Sequence, residues 1–380
     1  MQRARQELFV AELAAMRLNR AVNFSRAFLL LTALASFARA ESNGLKWISF
    51  PDSRLEVRGL PWFATNAPAL WRLPAEAKDR VPKAVWARAI APDGGRIRFA
   101  SDTSRLLIRA LAVQRPGKPC YFDAYADGKL VGATRLTSTQ AVDLILFEKK
   151  DRAHRDLTIC LPNNSEVRVL AVGVDADAKL ERAGAFALAK PLVCYGSSVL
   201  QGTGAAHPSS TYPAALARQL NLDFVNLGFG GAGKAEPDVV QLIASLDASC
   251  FLFDLGKSYG NQGSETYARM LETVRAAHPT TPIICVTPIY STKEANEPEY
   301  KDRSEKLRTL MRDAALKLQK SGDRNIFVVE GLDLFGEADK ELFHDQLHPN
   351  DEGNERMADR LVPTLRKLVF NHEPASRSGK

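Results

Sequence analysis

Residues 41–188 contain short segments in which hydrophobic and polar positions alternate, with turn-forming residues between the segments. This alternation has the period of a half-buried β-strand. It predicts strands at Leu45–Phe50, Ala84–Ile90, Arg96–Ala100, Arg105–Val113, Cys120–Ala126, Lys129–Leu136, Ala141–Glu148, Leu157–Leu161 and Val167–Val174. The pair Asp127-Gly128 is typical of a two-residue hairpin turn. Closely spaced strands joined by turns predict an all-β sandwich with a jelly-roll-like arrangement.

The pattern changes near residue 189, where apolar runs begin to alternate with segments of helical periodicity. The runs predict strands at Leu192–Tyr195, Phe224–Leu227, Cys250–Leu255, Ile283–Thr287 and Ile326–Glu330. Helices are predicted at about Tyr212–Leu220, Pro237–Ser245, Glu265–His278, Tyr300–Lys320 and Asp351–Leu368. Strands that are apolar on both faces predict a mostly parallel α/β sheet. Residues 189–370 are therefore expected to form a second domain with its site at the carboxyl ends of the strands, followed by a flexible polar tail at 371–380.

The first 40 residues have the features of an export signal. Arginines precede the apolar run Ala27–Phe37, which is followed by Ala38-Arg39-Ala40. A basic segment, a short hydrophobic segment and a small-residue cleavage site characterise a secretory signal peptide, and the run is too short to span a membrane stably. Residues 1–15 resemble an upstream extension, with Met16 as the start. We therefore expect a secreted or periplasmic protein without an integral membrane segment after cleavage; an uncleaved anchor or N-terminal helix is the alternative.

The formal net charge of +7 is concentrated in this N-terminal segment. Six arginines and two glutamates give residues 1–40 a charge of +4, which leaves +3 for the rest of the chain. So small an excess argues against a nucleic-acid-binding protein. The five cysteines lack the spacing of metal ligands, and we expect no metal or organic cofactor. Cys120 and Cys160 are candidates for a disulfide in an oxidising compartment.

The apolar run Leu192–Tyr195 ends in the sequence Gly196-Ser197-Ser198. A serine on the turn between a central strand and a helix exposes its hydroxyl at the carboxyl edge of the sheet, near a helix N-terminus that favours negative charge. Ser198 is therefore a candidate nucleophile. The spacing differs from the G-x-S-x-G nucleophile elbow, so the turn alone is also compatible with a plain strand-to-helix connection.

A nucleophilic serine requires a base, and the loop between the last predicted strand and the last predicted helix contains one. Asp345 and His348 lie three residues apart in this loop. A carboxylate at that spacing can hold one imidazole nitrogen, so that the other nitrogen can accept the serine proton. In the alternative interpretation, both residues only cap the last helix. His207, in the loop after the serine, is a second, weaker candidate for a substrate contact.

Gly196-Ser197-Ser198 near the start of the α/β half, with Asp345-x-x-His348-Pro349 near its end, resembles the motifs of the SGNH (GDSL-type) hydrolases. These are flavodoxin-like esterases with the serine third in a Gly-Asp-Ser block; here Ser197 stands in the Asp position. The resemblance covers residues 190–368 and implies a three-layer α/β/α domain with Ser198, Asp345 and His348 as its catalytic residues. Residues 41–188 resemble, more loosely, the β-sandwich that precedes some bacterial SGNH domains.

The resemblance also implies which groups bind the oxyanion, starting with the backbone N–H of Ser198. A second family block supplies a glycine N–H, and Gly231 in the glycine-rich stretch 226–233 matches it best. The third block usually reads Gly-x-Asn-Asp, from which the stretch 254–261 departs. Ungapped alignment puts Ser258 in the asparagine position, whereas a three-residue shift offers Asn261. The choice stays open, with Asn261 slightly favoured.

These expectations describe a serine esterase that works through an acyl-enzyme on Ser198. Similar two-domain proteins remove acetyl groups from polysaccharides, so we expect a small-molecule or glycan ester with a short, acetyl-sized acyl group as the substrate. The alternatives are an O-acyltransferase that uses the same acyl-enzyme, a lipase or thioesterase, and a non-catalytic carbohydrate-binding protein on a decayed hydrolase fold.

Overall fold

The computed structural model describes residues 44–370; the predicted export signal at 1–40 and the polar tail at 371–380 lie outside this range. Strands β1 to β10 are antiparallel and lie at Leu45–Ser49, Glu56–Arg58, Arg96–Ser101, Arg105–Ala112, Tyr121–Ala126, Lys129–Arg135, Val142–Glu148, Arg155–Cys160, Val167–Asp175 and Leu180–Glu181. One sheet has the order β1-β9-β4-β7. The other has the order β10-β3-β8-β5-β6, with β2 paired to β3. Asp127 and Gly128 join β5 to β6 with φ values of 49° and 75°, which confirms the predicted hairpin turn.

The two antiparallel sheets enclose one hydrophobic core. Ile108 and Val172 contribute to it from the first sheet, and Phe99 and Phe122 contribute from the second; all four side chains are fully buried. Side chains alternate between the faces of a strand, so each sheet presents one apolar face to the other. The predicted sandwich is confirmed.

Two helices precede β3, α1 at Phe63–Asn66 and α2 at Lys83–Ala89. The prediction of a strand at Ala84–Ile90 is therefore wrong. Val85 and Ala89 are fully buried and lie one helical turn apart, so the same apolar positions also fit a helix. They pack not in the sandwich but in the core of the α/β half, which local alternation of apolar residues cannot reveal.

The parallel strands β11 to β15 lie at Leu192–Gly196, Phe224–Gly228, Cys250–Asp254, Ile283–Val286 and Ile326–Val329. Helices α3 to α10 lie at Ser198–Gln201, Tyr212–Gln219, Pro237–Ala244, Ser264–Ala277, Lys293–Asn296, Pro298–Lys320, Gly331–Leu334 and Asp351–Phe370. The strand order β12-β11-β13-β14-β15 is that of a flavodoxin-like sheet. The strands and long helices predicted for this half are confirmed, whereas the pattern does not predict the short helices α3, α7 and α9.

Successive residues of a strand point to opposite sides of the sheet, and in β11 both sets are apolar. Helices therefore pack on both faces of the parallel sheet. Val193 and Tyr195 of β11 share a core with α5, α6 and α8. Leu192 and Cys194 share a second core with α4 and α10. The predicted three-layer α/β/α arrangement is confirmed. The strand order reverses between β11 and β13, which opens a crevice at their carboxyl ends.

A buried arginine ties the N-terminal half to the parallel sheet. Arg72 is fully buried and donates to the carbonyl oxygens of Asn226 and Gly228, at 3.0 and 2.6 Å, near the end of β12. Its guanidinium also lies 3.4 Å from the fully buried carboxylate of Asp93. The glycine-rich loop that follows β12 is therefore fixed to residues of the N-terminal half.

All five cysteines are free thiols, so the structure contains no disulfide between Cys120 and Cys160. Cys160 on β8 lies opposite Asp123, three residues beyond Cys120. At about 3.3 Å per residue, this offset along the strand is about 10 Å, beyond the reach of a disulfide. Within residues 44–370, no helix combines the length and apolar character needed to cross a membrane.

Candidate active site

Ser198 is the first residue of α3 and follows directly after the turn that ends β11. Ser197 caps this helix, because its Oγ accepts the backbone N–H groups of Val199 and Leu200 at 3.2 and 3.5 Å. The backbone N–H of Ser197 donates to the carbonyl oxygen of Asp254 at the end of β13, at 2.7 Å. The turn is thereby fixed to both the helix and the neighbouring strand, and it holds the half-buried Ser198 at the edge of the crevice.

The loop before α10 brings His348 to Ser198. Nε2 of His348 lies 2.8 Å from Oγ of Ser198, and Nδ1 lies 2.8 Å from Oδ2 of Asp345. The other carboxylate oxygen accepts the backbone N–H groups of Leu347 and His348, at 2.7 and 2.8 Å. With the Nδ1 proton donated to the carboxylate, Nε2 is the acceptor that faces the serine hydroxyl.

The environment of Asp345 keeps its carboxyl ionised. Partial burial acts to raise its pKa, but the His348 side chain and two backbone N–H groups donate to it and hold the pKa below its usual value. The following helix has a different cap, since Oδ1 of Asn350 accepts the N–H of Gly353 at 2.9 Å. These contacts do not match the alternative in which Asp345 and His348 only cap α10.

The loop after β12 carries Gly231 to the same crevice. Its φ of +69° lies in the left-handed region that favours glycine. A Cβ atom at this position would meet no atom of residues 44–370 within 4 Å, so the requirement for glycine is conformational rather than steric. The backbone N–H of Gly231 donates to Oγ of Ser258 at 3.3 Å.

Ser258 and Asn261, the two sequence candidates for the third oxyanion donor, differ in their contacts. Ser258 lies in the 3₁₀ turn Gly256–Tyr259 after β13, with its hydroxyl next to the Gly231 N–H. Asn261 is exposed and lines the same cavity, but no hydrogen bond in the described part of the chain joins it to Gly231 or Ser198. The geometry therefore favours Ser258, whereas the sequence slightly favours Asn261.

A cluster of buried charges supports the turn that carries Ser258. Nζ of Lys257 lies 2.7 Å from the carboxylate of Glu294 and donates to the Ile289 carbonyl at 2.6 Å. Arg308 pairs with the same carboxylate at 2.8 Å. Burial lowers the pKa of Lys257 to about 8, although its hydrogen bond to Glu294 opposes the shift. The buried contacts of Lys257 thus fix the backbone of the turn next to Ser258.

Gln201 is a residue of the site that the sequence does not reveal. Its Oε1 accepts the backbone N–H of Gly230 at 2.8 Å, and its Nε2 donates to Asp93 at 3.1 Å. The amide therefore connects the helix of Ser198, the glycine-rich loop and a buried carboxylate of the N-terminal half. The only local signal is its place three residues after Ser198 in the same helix.

His207 lies at a different place, between the two halves. Its Nδ1 lies 2.8 Å from Oδ1 of the fully buried Asp123, and its ring packs on Tyr121 with 4.5 Å between ring centres. The hydroxyl of Ser209 donates to the same carboxylate at 2.7 Å. His207 does not line the cavity at Ser198, so these contacts give it an interface position rather than a substrate contact.

One cavity of about 930 Å³ lies at Ser198 and His348. Its wall includes Ser198, Gly231, Ser258 and His348 from the α/β half, and it also includes residues 88 and 118 of the N-terminal half. Within residues 44–370, no group of three or more His, Cys, Asp or Glu side chains is placed to hold a metal ion. The arrangement combines a serine, an imidazole and a carboxylate with a backbone N–H and a hydroxyl, those of Gly231 and Ser258, in the wall of the same cavity.

A flavodoxin-like sheet with a Ser–His–Asp hydrogen-bond chain at its carboxyl edge is the arrangement of an SGNH-type hydrolase. Residues 189–366 match the model of the GDSL-like Lipase/Acylhydrolase family. Residues 45–180 match the model of the N-terminus of SGNH-hydrolase-type esterases. The chain belongs to the SGNH (GDSL-type) hydrolase family and is an enzyme of the carboxylic ester hydrolase class.

Solved structures share the two-domain arrangement. A candidate GDSL-like lipase from Bacteroides ovatus is 23% identical, with a TM-score of 0.74 over 86% of this chain and 98% of that one. The salicylyl-acyltransferase SsfX3 from a tetracycline biosynthetic pathway is 25% identical, with a TM-score of 0.75 over 87% and 99%. A family two carbohydrate esterase from Cellvibrio japonicus is 14% identical, with a TM-score of 0.60 over 86% and 98%. No curated protein matches the chain.

Proposed function

We propose that the protein is a serine esterase in which Ser198 is the nucleophile, His348 the general base and acid, and Asp345 the residue that orients the imidazole. The observation that carries the proposal is the continuous chain of two 2.8 Å contacts from Oγ of Ser198 through the His348 ring to Asp345. Side chains 150 residues apart in sequence meet in this chain, at the sheet edge where α/β proteins bind their ligands.

In the proposed mechanism, Oγ of Ser198 attacks the ester carbonyl carbon while its proton passes to Nε2 of His348. The oxyanion accepts hydrogen bonds from the backbone N–H groups of Ser198 and Gly231 and from the hydroxyl of Ser258, with Asn261 as the alternative third donor. The alcohol leaves with the proton from His348. Water then attacks the acyl-enzyme, and the same imidazole first accepts and then returns a proton, which frees the acid and regenerates the serine.

The proposed substrate is a short-chain ester, with acetyl as the first choice, on a carbohydrate. The cavity supports this proposal, because it is large and lies between the two halves, so an extended alcohol portion can reach both. The predicted signal peptide is consistent with action on an exported or extracellular glycan. A series of p-nitrophenyl esters tests the acyl length: an acetylesterase prefers two carbons, whereas a lipase prefers eight or more.

Acyl transfer is the second candidate, favoured by the likeness to the salicylyl-acyltransferase over nearly the whole chain. It uses the same acyl-enzyme and differs only in the acceptor, a hydroxyl in place of water. High concentrations of a sugar acceptor distinguish the two: a transferase forms an acylated sugar, whereas a hydrolase releases only the free acid.

The decisive experiment replaces Ser198 by Ala. We expect hydrolysis of p-nitrophenyl acetate to fall by about 10⁴-fold or more, since the loss of a serine nucleophile costs at least that much in a studied serine protease. A fluorophosphonate probe should label the wild type and not the variant. Ser245→Ala is the matched control, because Ser245 is exposed at the end of α5 and should not affect either readout. Full activity of Ser198→Ala, with an unchanged circular dichroism spectrum, would exclude this serine as the nucleophile.

A further inference from the structure

The cavity at Ser198 has a strongly one-sided charge. Its described lining contains five basic side chains and no Asp or Glu; the basic ones are Arg88, Lys118, Lys257, Arg303 and Lys306. The chain as a whole carries nearly as many acidic as basic residues, 44 against 51, so a wall of this composition does not follow from the overall charge.

Among the described residues, four of the five basic groups have no carboxylate partner. Lys257 pairs at 2.7 Å with the carboxylate of Glu294, which it shares with Arg308. No ion pair within residues 44–370 joins Arg88, Lys118, Arg303 or Lys306 to an acidic side chain. Arg88 donates to a backbone carbonyl, and the guanidinium of Arg303 lies 5.6 Å from the centre of the Tyr300 ring. None of these four side chains is paired with a carboxylate in the described part of the chain, so their positive charges are available to a ligand.

The free charges come from both halves of the protein. Arg88 lies in α2 and Lys118 in the loop before β5, whereas Arg303 and Lys306 lie on α8. Lys306 also lines a neighbouring groove with Asp302 and Glu305, which offset part of its charge. We therefore chose Lys118 to test the basic residues of the N-terminal half and Arg303 to test those of the α/β half. A cleft lined by charges of one sign concentrates ligands of the opposite sign.

We propose that this cavity selects esters that carry carboxylate groups, so that the natural substrate is an O-acetylated glycan with uronic acid residues. The inference rests on the proposed esterase function and specifies its substrate class. Cations from both halves fit carboxylates that are repeated along a sugar chain. The feature that the cations would recognise is a carboxylate near the scissile ester. This carboxylate can belong either to the alcohol part of the substrate or to its acyl part.

Steady-state kinetics show whether the recognised carboxylate belongs to the alcohol part or to the acyl part of the substrate. For the alcohol part, kcat/KM is compared between acetylated polygalacturonate and acetylated glucomannan, which is neutral. For the acyl part, it is compared between p-nitrophenyl hemisuccinate and p-nitrophenyl acetate. We expect the wild type to prefer acetylated polygalacturonate by about tenfold or more, and the preference to shrink between 50 and 500 mM NaCl because salt screens the attraction. A preference confined to hemisuccinate would overturn the uronic acid assignment and place the carboxylate in the acyl group.

The variant Lys118→Gln/Arg303→Gln tests the residues. We expect the ratio of kcat/KM for the anionic over the neutral glycan to fall by about tenfold, mainly through KM. The matched control is Arg115→Gln/Lys301→Gln, which removes one charge from the same loop and one from the same helix at exposed positions outside the cavity wall. An equal loss in both double variants would show that only the overall charge matters and would overturn the proposal.

Binding without turnover separates this inference from the proposed function. Ser198→Ala protein is run by affinity electrophoresis through gels that contain polygalacturonate or neutral glucomannan. We expect retardation by polygalacturonate alone, and its loss when Lys118→Gln/Arg303→Gln is added. If the wild type hydrolyses p-nitrophenyl acetate through Ser198 but neither turnover nor binding distinguishes the glycans, the substrate inference fails while the esterase function stands. If no ester is hydrolysed, the esterase function fails, and the electrophoresis alone decides whether the cavity binds anionic glycans.

Discussion

Two serines are the residues to compare with the polar positions of the SGNH motifs, Ser197 in the first block and Ser258 as one of two candidates in the third. Ser197, in the Asp position of the Gly-Asp-Ser block, accepts the two backbone N–H groups that begin α3, which is work that a carboxylate also does at a helix N-cap. If Ser258 is the third oxyanion donor, it supplies a single hydroxyl, whereas the family motif supplies an amide. Its Oγ accepts the backbone N–H of Gly231 at 3.3 Å, so an oxyanion bound beside the two groups would replace Oγ as the acceptor of that N–H and would also accept the Ser258 hydroxyl proton.

Ser258 and Asn261 are distinguished by single alanine substitutions. We expect Ser258→Ala to lower kcat for p-nitrophenyl acetate by about 10²–10³-fold, as the loss of one oxyanion donor does in a studied serine protease, with little change in KM. Asn261→Ala should leave kcat close to that of the wild type. Ser258→Asn, which introduces the family residue, should retain activity. A large fall in kcat for Asn261→Ala alone would transfer the role to Asn261.

The residues of the site differ in how far the sequence could indicate them. Ser198, Asp345 and His348 stand out because each lies in a short motif at a predicted strand end, so local spacing suffices. Gln201 does not, because its role depends on Asp93, 108 residues away in another domain. The choice between Ser258 and Asn261 depends on which way a turn faces, which sequence spacing alone does not determine.

Among the elements, β13 ends in a carboxyl group that the fold keeps away from water. Burial raises the pKa of Asp254 from 3.8 to about 7, although a hydrogen bond from the Tyr212 hydroxyl, at 2.9 Å, and the nearby Lys257 charge oppose the shift. The unfolded chain releases this proton near pH 3.8 and the folded protein near pH 7. Between these values the unfolded state binds fewer protons, so the stability contributed by the protonated group falls as the pH rises, by at most about 1.4 kcal/mol per pH unit.

Asp254→Asn removes this titration. The amide oxygen can still accept the Tyr212 hydroxyl, so we expect the variant to gain stability relative to the wild type as the pH rises from 5 to about 7, with little further change at pH 8. Urea unfolding at pH 5, 6, 7 and 8 measures the difference. Asp247→Asn is the control, because Asp247 is exposed and pairs with Lys190, which lowers its pKa and places its titration below this range. Parallel stability curves for Asp254→Asn and the wild type would contradict the assigned shift.

Helix α2 shows why one element escapes prediction while its neighbours do not. Sandwich strands such as β8 bury alternate residues against the opposite sheet, so the apolar alternation in their sequence reflects packing within their own domain. In α2, the buried Val85 and Ala89 face the core of the other domain, together with Val193 of β11. The sequence of a short segment does not indicate which hydrophobic core its apolar residues join. In addition, seven residues are too few to distinguish a helical period from a strand period.

For the whole molecule, the buried contacts of Arg72 give the two halves a shared stability. Its guanidinium donates to the carbonyls of Asn226 and Gly228 and lies beside Asp93, all out of contact with water. The removal of one partner from a buried ion pair leaves an uncompensated charge and costs about 3–5 kcal/mol. The end of β12, which Arg72 contacts, leads directly into the glycine-rich loop of the site. We therefore expect a substitution of Arg72 to lower both the stability of the protein and its catalytic rate.

Arg72→Met tests this coupling. We expect its free energy of unfolding in urea to fall by about 3–5 kcal/mol, because Asp93 and the two carbonyls lose their partner. Arg80→Met is the matched control: Arg80 pairs at 2.7 Å with Asp238 of the α/β half, but both side chains are largely exposed, and such pairs contribute about 0–1 kcal/mol. Arg72→Lys keeps the charge but lacks the planar set of donors of a guanidinium. We expect its loss of unfolding free energy to lie between those of Arg72→Met and Arg80→Met, and its kcat to be lower than that of the wild type. Equal losses for Arg72→Lys and Arg80→Met, with an unchanged kcat, would show that the buried arginine does not connect the N-terminal half to the site.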